Sequence, residues 1–364
     1  MAVTKTPDGR YQVRWRDETN RQRSKIFDRK KDADAHHAQV TRHRQDGTLT
    51  TINTQLTVAA LADRWLDAAL HLSPRSLETY RRDLNYYILP NFGDVTVAHL
   101  TAEAIQKWLR RELDRLSPSS VHRHYRTMNT MLTWAVRNQY ATVNPCARVN
   151  PPRVPRRQMR IFTIEQIEAI AAAVNPRYRS FILVAAWGGL RWSELVGLRR
   201  CDVAGAQITV AGQLQLLDGE WRRSQPKTMA GSRTLLLPAS VGAELSAHIE
   251  EFCGDAAESL VFTNRLGNPL GIGFRSNVWY PACASIGLGE RVLRNHKPAY
   301  SGVPRFHDLR HTSVALAIKA GAHPKVIQQR LGHSSIAVTM DTYGHLFEGM
   351  DAGLADDLDR IRGV

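Results

Sequence analysis

Cysteine is scarce, with Cys146, Cys201, Cys253 and Cys283 the four in 364 residues. None forms a C-x-x-C pair, and the spacings suggest neither a disulfide framework nor a zinc knuckle. Buried thiols in a reducing compartment are the expectation. Long apolar runs are also missing, so no stretch is suited to spanning a bilayer. The opening MAVTKTPDGRYQVRW lacks the apolar core of a signal peptide. Acidic residues are in deficit: 34 Asp and Glu stand against 49 Lys and Arg, a net charge of +15. Such an excess, with its arginines clustered, suits a polyanionic partner, nucleic acid before membrane. With 43% hydrophobic residues the chain can build real cores, and its length implies two or three domains. A cytoplasmic protein working at the nucleoid is expected.

The densest chemistry lies near the end, in HDLRHTSVALAIKAGAHPKVIQQRLGHSSIAVTMDTYGH, residues 307–345. His307 and Arg310, as H-x-x-R, place two donors one helical turn apart on one face. His and Arg converging on one spot suit a phosphate or other oxyanion. Tyr343, downstream, is a candidate nucleophile on that phosphorus. His311, four residues after His307, invites a zinc-helix reading. Arg310 would crowd such a metal, and no H-E-x-x-H glutamate is present, so no metal or cofactor is expected.

This stretch closely resembles the C-terminal signature of the tyrosine recombinases, in particular phage-type integrases. Upstream, Gly189-Leu190-Arg191-Trp192-Ser193-Glu194-Leu195 resembles that family's first catalytic-arginine motif. Lys227, in Pro226-Lys227-Thr228, is similar to its catalytic lysine on a β-hairpin, with Lys297 as rival. The resemblance implies a mostly α fold with small antiparallel β-sheets in a multidomain arrangement. It also implies cleavage and rejoining of DNA through a 3′-phosphotyrosyl link within a homotetramer. Members of this kind often need a host DNA-bending protein and a directionality factor.

Taken in order, residues 1–50 read as a small sheet backed by a helix, an arm-type DNA-binding domain. Arg14 and Arg16 alternate with Tyr11, Val13 and Trp15. Arg21, Arg23 and Lys25 are expected to join them on one basic face. Residues 56–146 read as a helical core-binding domain. Its caps are Thr57, Ser73, Thr101 and Ser117, its core includes Trp65 and Trp108, and the apolar face of its first helix runs to Leu70. Arg75, Arg81, Arg123 and Arg126 are candidates to face a phosphate backbone. Residues 147–160 form a Pro- and Arg-rich strap carrying Arg156 and Arg157. Residues 161–350 form an α+β catalytic domain with one small sheet and a basic loop over 291–302. Residues 351–364 are a tail that packs either on its own domain or on a neighbour.

The chemistry follows from charge. Negative charge grows on the non-bridging oxygens of a phosphodiester under attack, and two arginine forks can neutralise it without deprotonating. Arg191 and Arg310 are the candidates, with His307 and His333 adding donors or handling protons. His307 is the candidate acceptor for the Tyr343 proton, and Lys227 the candidate acid for the leaving 5′-hydroxyl. Glu194 is expected to orient Arg191 or a histidine. His345 reads as a helper beside Tyr343, and His311 as a buried, hydrogen-bonded residue. A cellular chromosome-dimer resolvase of the same family, or a non-catalytic DNA-binding protein on its scaffold, remain the alternatives to an integrase.

Overall fold

Alternating apolar residues at Tyr11, Val13 and Trp15 build a sheet at the start of the chain. The computed structural model describes residues 2–16, 22–45, 55–155, 159–225, 231–294, 297–347, 358 and 361–362. Two compact units result, Met1–Arg156 and Arg157–Val364. In the first, β1 (Ala2–Lys5), an edge strand the patterning did not reveal, pairs antiparallel with β2 (Tyr11–Arg16). The latter pairs with β3 (Gln22–Phe27). Helix α1 (Lys30–Gln45) packs on this sheet, its His36 ring 5.1 Å from both Trp15 and Phe27.

The strand register overturns the expectation of one basic face. Val13 stands opposite Lys25, and Trp15 opposite Arg23, and directly opposed residues share a sheet face. Arg23 and Lys25 therefore lie on the side of Trp15 and Phe27, with Lys25 Nζ 5.4 Å from the Phe27 ring. Arg14 and Arg16 lie on the other side. Arg21 falls outside the described residues, as do Arg156 and Arg157.

Four helices of this unit begin with a hydroxyl that accepts a hydrogen bond from the third backbone N–H of the helix, which would otherwise be orphaned. Thr57 caps α2 (Val58–Asp67) and Ser73 caps α3 (Pro74–Asp83). The chain continues through one π-helical turn, Leu84–Ile88, into α4 (Leu89–Phe92). Thr101 caps α5 (Ala102–Leu113), and Ser117 caps α6 (Pro118–Arg137). Their apolar faces meet in a core that includes Leu61, Trp65, Ile88, Trp108 and Met128. Leu70 is not part of it. Because α2 ends at Asp67, Leu70 falls past the helical stripe and is 93% exposed.

Arg123 has an internal partner. Its guanidinium lies 3.0 Å from the fully buried Asp83, which also accepts from Thr127 Oγ1 at 3.0 Å. A buried carboxylate without its cation costs several kcal/mol, so this arginine is tied to the fold. Arg81 and Arg126 are exposed, and Arg75 pairs with Glu78 at 2.7 Å.

In the second unit Thr163 and Gln166 form a capping box at the start of α7 (Ile164–Ala173). Helix α8 (Pro176–Gly188) is buried over most of its length and ends at Gly189, in the left-handed region at φ +66. A Cβ there would meet Ser313 Oγ at 2.8 Å, so glycine is required for backbone and space alike. The short α9 (Trp192–Val196) follows. Strands β4 (Val203–Ala204), β5 (Gln207–Val210), β6 (Gln213–Leu217), β7 (Glu220–Ser224) and β8 (Arg233–Leu236) come next. They form a β4-β5-β8 sheet and a separate β6-β7 hairpin, not one sheet. The strands before and after Lys227 thus belong to different sheets. Lys227 itself, with residues 226–230, lies outside the described residues.

After α10 (Ala239–Phe252) and α11 (Tyr280–Ser285), β9 (Glu290–Arg294) and β10 (Lys297–Ser301) form a hairpin where a loop was expected. The unit closes with α12 (Asp308–Lys319), α13 (Pro324–Leu331) and α14 (Ile336–Tyr343). A core around Phe181, Phe262, Trp279 and Phe306 supports α8 and the start of α12. A smaller one gathers Val314, Ile318, Ile327, Leu331 and Tyr343. Of the tail, Leu358, Ile361 and Arg362 are described. No helix among the described residues is long and apolar enough to cross a membrane.

Candidate active site

Three local devices deliver the site. The Gly189 cap turns the chain out of α8, so Arg191 leaves in an extended conformation and becomes the N-cap of α9. Arg310 rides on the buried face of α12, 4% exposed. Gly332, left-handed at φ +63, ends α13 and sets His333 at the turn before α14.

Hydrogen bonds join these pieces. Arg310 Nη1 donates to the Gly189 carbonyl, and its Nη2 to the Leu331 carbonyl at 2.8 Å. The same Nη2 lies 3.2 Å from His333 Nε2. Arg191 Nη2 donates to the Gly332 carbonyl at 3.3 Å, and its Nη1 to Glu194 Oε1 at 2.7 Å. Glu194 lies where its expected orienting role requires, but it has a second cation. Arg233, 6% exposed, donates to both its oxygens at 2.9 and 3.2 Å and to the Arg330 carbonyl at 2.6 Å. Sequence reading missed Arg233. The available signal was its parity with the buried Leu235, two residues along β8.

Burial alone would raise the Glu194 carboxyl, but hydrogen bonds and charge from Arg233 and Arg191 outweigh it and hold it at about 2. Burial, then the charge of Arg191, lowers Arg310 to about 9, so it stays cationic at neutral pH. Burial and the charges of Arg310 and Arg191 push His333 down to about 4, which leaves the ring neutral. A cleft of about 480 Å³ opens beside these groups, lined by Arg191, Glu194, Gln213, Gly332, His333 and Ser334 among others. It is a concave, cationic place for an anion.

The depressed His333 pKa has a consequence for stability. A histidine titrates ordinarily near about 6.5, so between that pH and about 4 the unfolded chain binds a proton that the folded site refuses. Stability from the neutral ring is therefore full above the upper value and is lost as pH falls toward the lower one. Thermal unfolding of the full chain and of His333→Gln, compared from pH 7 to 4, should show the steeper acid loss in the parent. Parallel curves would refute it.

Tyr343 is not on the cleft wall. It is 2% exposed, in the smaller core, and burial raises its phenol above the ordinary value, Arg310 countering in part. Its hydroxyl lies 2.8 Å from His311 Nδ1. The hydrogen-bonded neighbour of the phenol is thus His311, and not His307, the residue expected to accept its proton. His307 precedes the first turn of α12 and is exposed, its ring 5.1 Å from that of His311. Where α14 docks selects the inner member of the i, i+4 pair. His345 is exposed, and Lys227 lies outside the described residues. Thus Arg191, Arg310 and His333 come together in one cluster, Tyr343 joins His311 instead, and His307 stands at the edge.

Comparison with known proteins agrees with this architecture. Residues 160–349 match the model of the phage integrase family, and residues 58–151 that of the phage integrase central domain. An integrase of Mycobacterium phage L5 is 24% identical over 325 residues, covering 87% of this chain and 82% of its own length. Among solved structures, the Tn1549 transposon integrase in complex with circular intermediate DNA superposes with a TM-score of 0.65 at 19% identity. The match covers 83% of this chain and 99% of that one. A lambda integrase tetramer bound to a Holliday junction gives 0.60 at 17%, over 92% and 95%. At those identities the structural likeness is one of fold. The family match extends over most of both units, from α2 to the turn after α14, and the chain belongs to the phage integrase family, the tyrosine recombinases that cleave and rejoin DNA.

Proposed function

We propose that this chain integrates or excises a phage or mobile element as a homotetramer on duplex DNA, with Tyr343 as nucleophile. The convergence of Arg191, Arg310 and His333 beside one cleft is the observation that carries it. The phosphodiester enters there, and the two guanidiniums hold its non-bridging oxygens, with His333 beside them to handle protons. Tyr343 Oη forms a bond to phosphorus as the bond to the 5′-oxygen breaks. Its proton passes to His311, the group already 2.8 Å away, in place of His307. The departing 5′-oxygen takes a proton from Lys227. A 5′-hydroxyl from a second duplex then reverses these steps and restores the phenol, so no high-energy cofactor is consumed. Because the phenol is buried, α14 has to shift on DNA for the attack.

The exposed Arg81 and Arg126 support backbone contact by the helical part of the first unit, and Arg14 and Arg16 support arm-site contact by the sheet. On this proposal the domains follow the sequence boundaries, and a host DNA-bending protein and a directionality factor assist. The test is a pair of substrates. Recombinant product should arise from two DNA molecules carrying target sites, and only with both present. Efficient relaxation of a single supercoiled plasmid without any exchange between sites would mark a topoisomerase instead.

A further inference from the structure

Thr339 lies on α14 one turn before Tyr343 and is fully buried. Its Oγ1 is 2.9 Å from His333 Nδ1, and it plays no part in the steps above. The proton on His333 can be placed from geometry. A guanidinium donates and never accepts, so the 3.2 Å approach of Arg310 Nη2 makes His333 Nε2 the acceptor. The neutral ring then carries its hydrogen on Nδ1, and that hydrogen points at Thr339 Oγ1. The backbone on either side is fixed as well: Gln328 Nε2 donates to the His333 carbonyl at 3.1 Å, and Gly332 is set by its left-handed turn.

We infer that Thr339 is a positioning residue, whose hydroxyl fixes the tautomer and plane of His333 so that Nε2 faces the phosphate cleft. This rests on the reading of that cleft as the phosphate site. A hydroxyl is suited to the task because its oxygen accepts from Nδ1–H and leaves the Nε2 lone pair open on the side of the cleft. The link has a second effect. Thr339 and Tyr343 are four residues apart on one helix, so the bond from His333 ties the phosphate cleft to the element that carries the nucleophile. Any movement of α14 toward DNA is pivoted at that bond.

Two variants test this, Thr339→Val and Thr339→Ser, both in the full chain. The ring nitrogens of His333 are observed by ¹⁵N NMR, assigned by comparison with His333→Gln, and adduct formation is timed on a nicked target duplex. In the parent the Nδ1–H tautomer should dominate. Thr339→Val should give a mixture of tautomers and slow adduct formation at least about tenfold with DNA affinity held, since a small misplacement of a catalytic group is that costly. Thr339→Ser should restore both. An unchanged tautomer in Thr339→Val overturns the inference, and so does a serine variant as impaired as the valine one, because packing of the methyl would then be the cause. If the parent forms no adduct, the phosphate-site reading fails, while the tautomer comparison still decides what Thr339 does.

Discussion

Tyr343→Phe abolishes covalent attachment of the protein to DNA and leaves DNA affinity within about twofold, because the change removes a bond-forming oxygen and no contact to the duplex. The phenyl ring keeps its place among Val314, Ile318, Ile327 and Leu331. Only the contact to His311 Nδ1 is lost, at about 1 kcal/mol of stability. Denaturing electrophoresis of a reaction with labelled target duplex reads the result directly. Adducts that survive the substitution would move the nucleophile elsewhere in the chain. Its companion, His311→Ala, keeps the nucleophile and should slow adduct formation most below neutral pH, where the phenol depends most on an acceptor.

Arg310→Lys is the second large effect. Lysine keeps the charge but not the planar fork. The fork reaches the Gly189 and Leu331 carbonyls and His333 Nε2 together, and an ammonium on a flexible stem cannot span the three. Adduct formation should fall by about 10² to 10³, the usual consequence of losing one preorganised donor to a developing oxyanion. Single-turnover cleavage measures this, with thermal unfolding as the control for folding. A loss smaller than about tenfold would mean that Arg310 serves the fold and not the phosphate. Arg191→Lys should be less damaging to folding, since Arg191 is part exposed whereas Arg310 is buried.

Much of this was legible beforehand because it is encoded locally. Caps at Thr57, Ser73, Thr101, Ser117 and Thr163 announce their helices by a hydroxyl just ahead of an amphipathic run. Gly189 and Gly332 announce where helices stop. Arg191 and His333 follow such glycines closely and Arg310 stands in an H-x-x-R pair, and it was the resemblance of these motifs to the tyrosine recombinases that singled them out. The misses share a different cause, namely that they depend on register or docking. Lys25 and Arg23 changed sides because alternation fixes faces within a strand, while pairing to β2 fixes them between strands. The β9-β10 hairpin was hidden by Lys297-Pro298 and its charged neighbours, which break the apolar alternation. Arg233 and Thr339 carry no motif, and their importance appears only when β8 and α14 reach Glu194 and His333. His311 and His307 are indistinguishable by spacing alone.

The pairing of Glu194 with Arg191 and Arg233 sets an electrical balance. Three guanidiniums, Arg191, Arg233 and Arg310, are set against one carboxylate, and three minus one leaves a surplus of two positive charges. A phosphodiester at rest bears one negative charge. A phenolate adding to it gives a five-coordinate species bearing two. On the proposed chemistry this surplus among the described groups, to which the Lys227 ammonium adds one more, favours the doubly charged fleeting species over the singly charged resting one, the preference that accelerates a reaction instead of merely retaining its substrate. Neutralising Glu194 would add to that surplus, but it would leave the buried Arg233 without its counter-ion and Arg191 without the carboxylate that holds it, so the charge gained would come with the loss of the geometry that aims it.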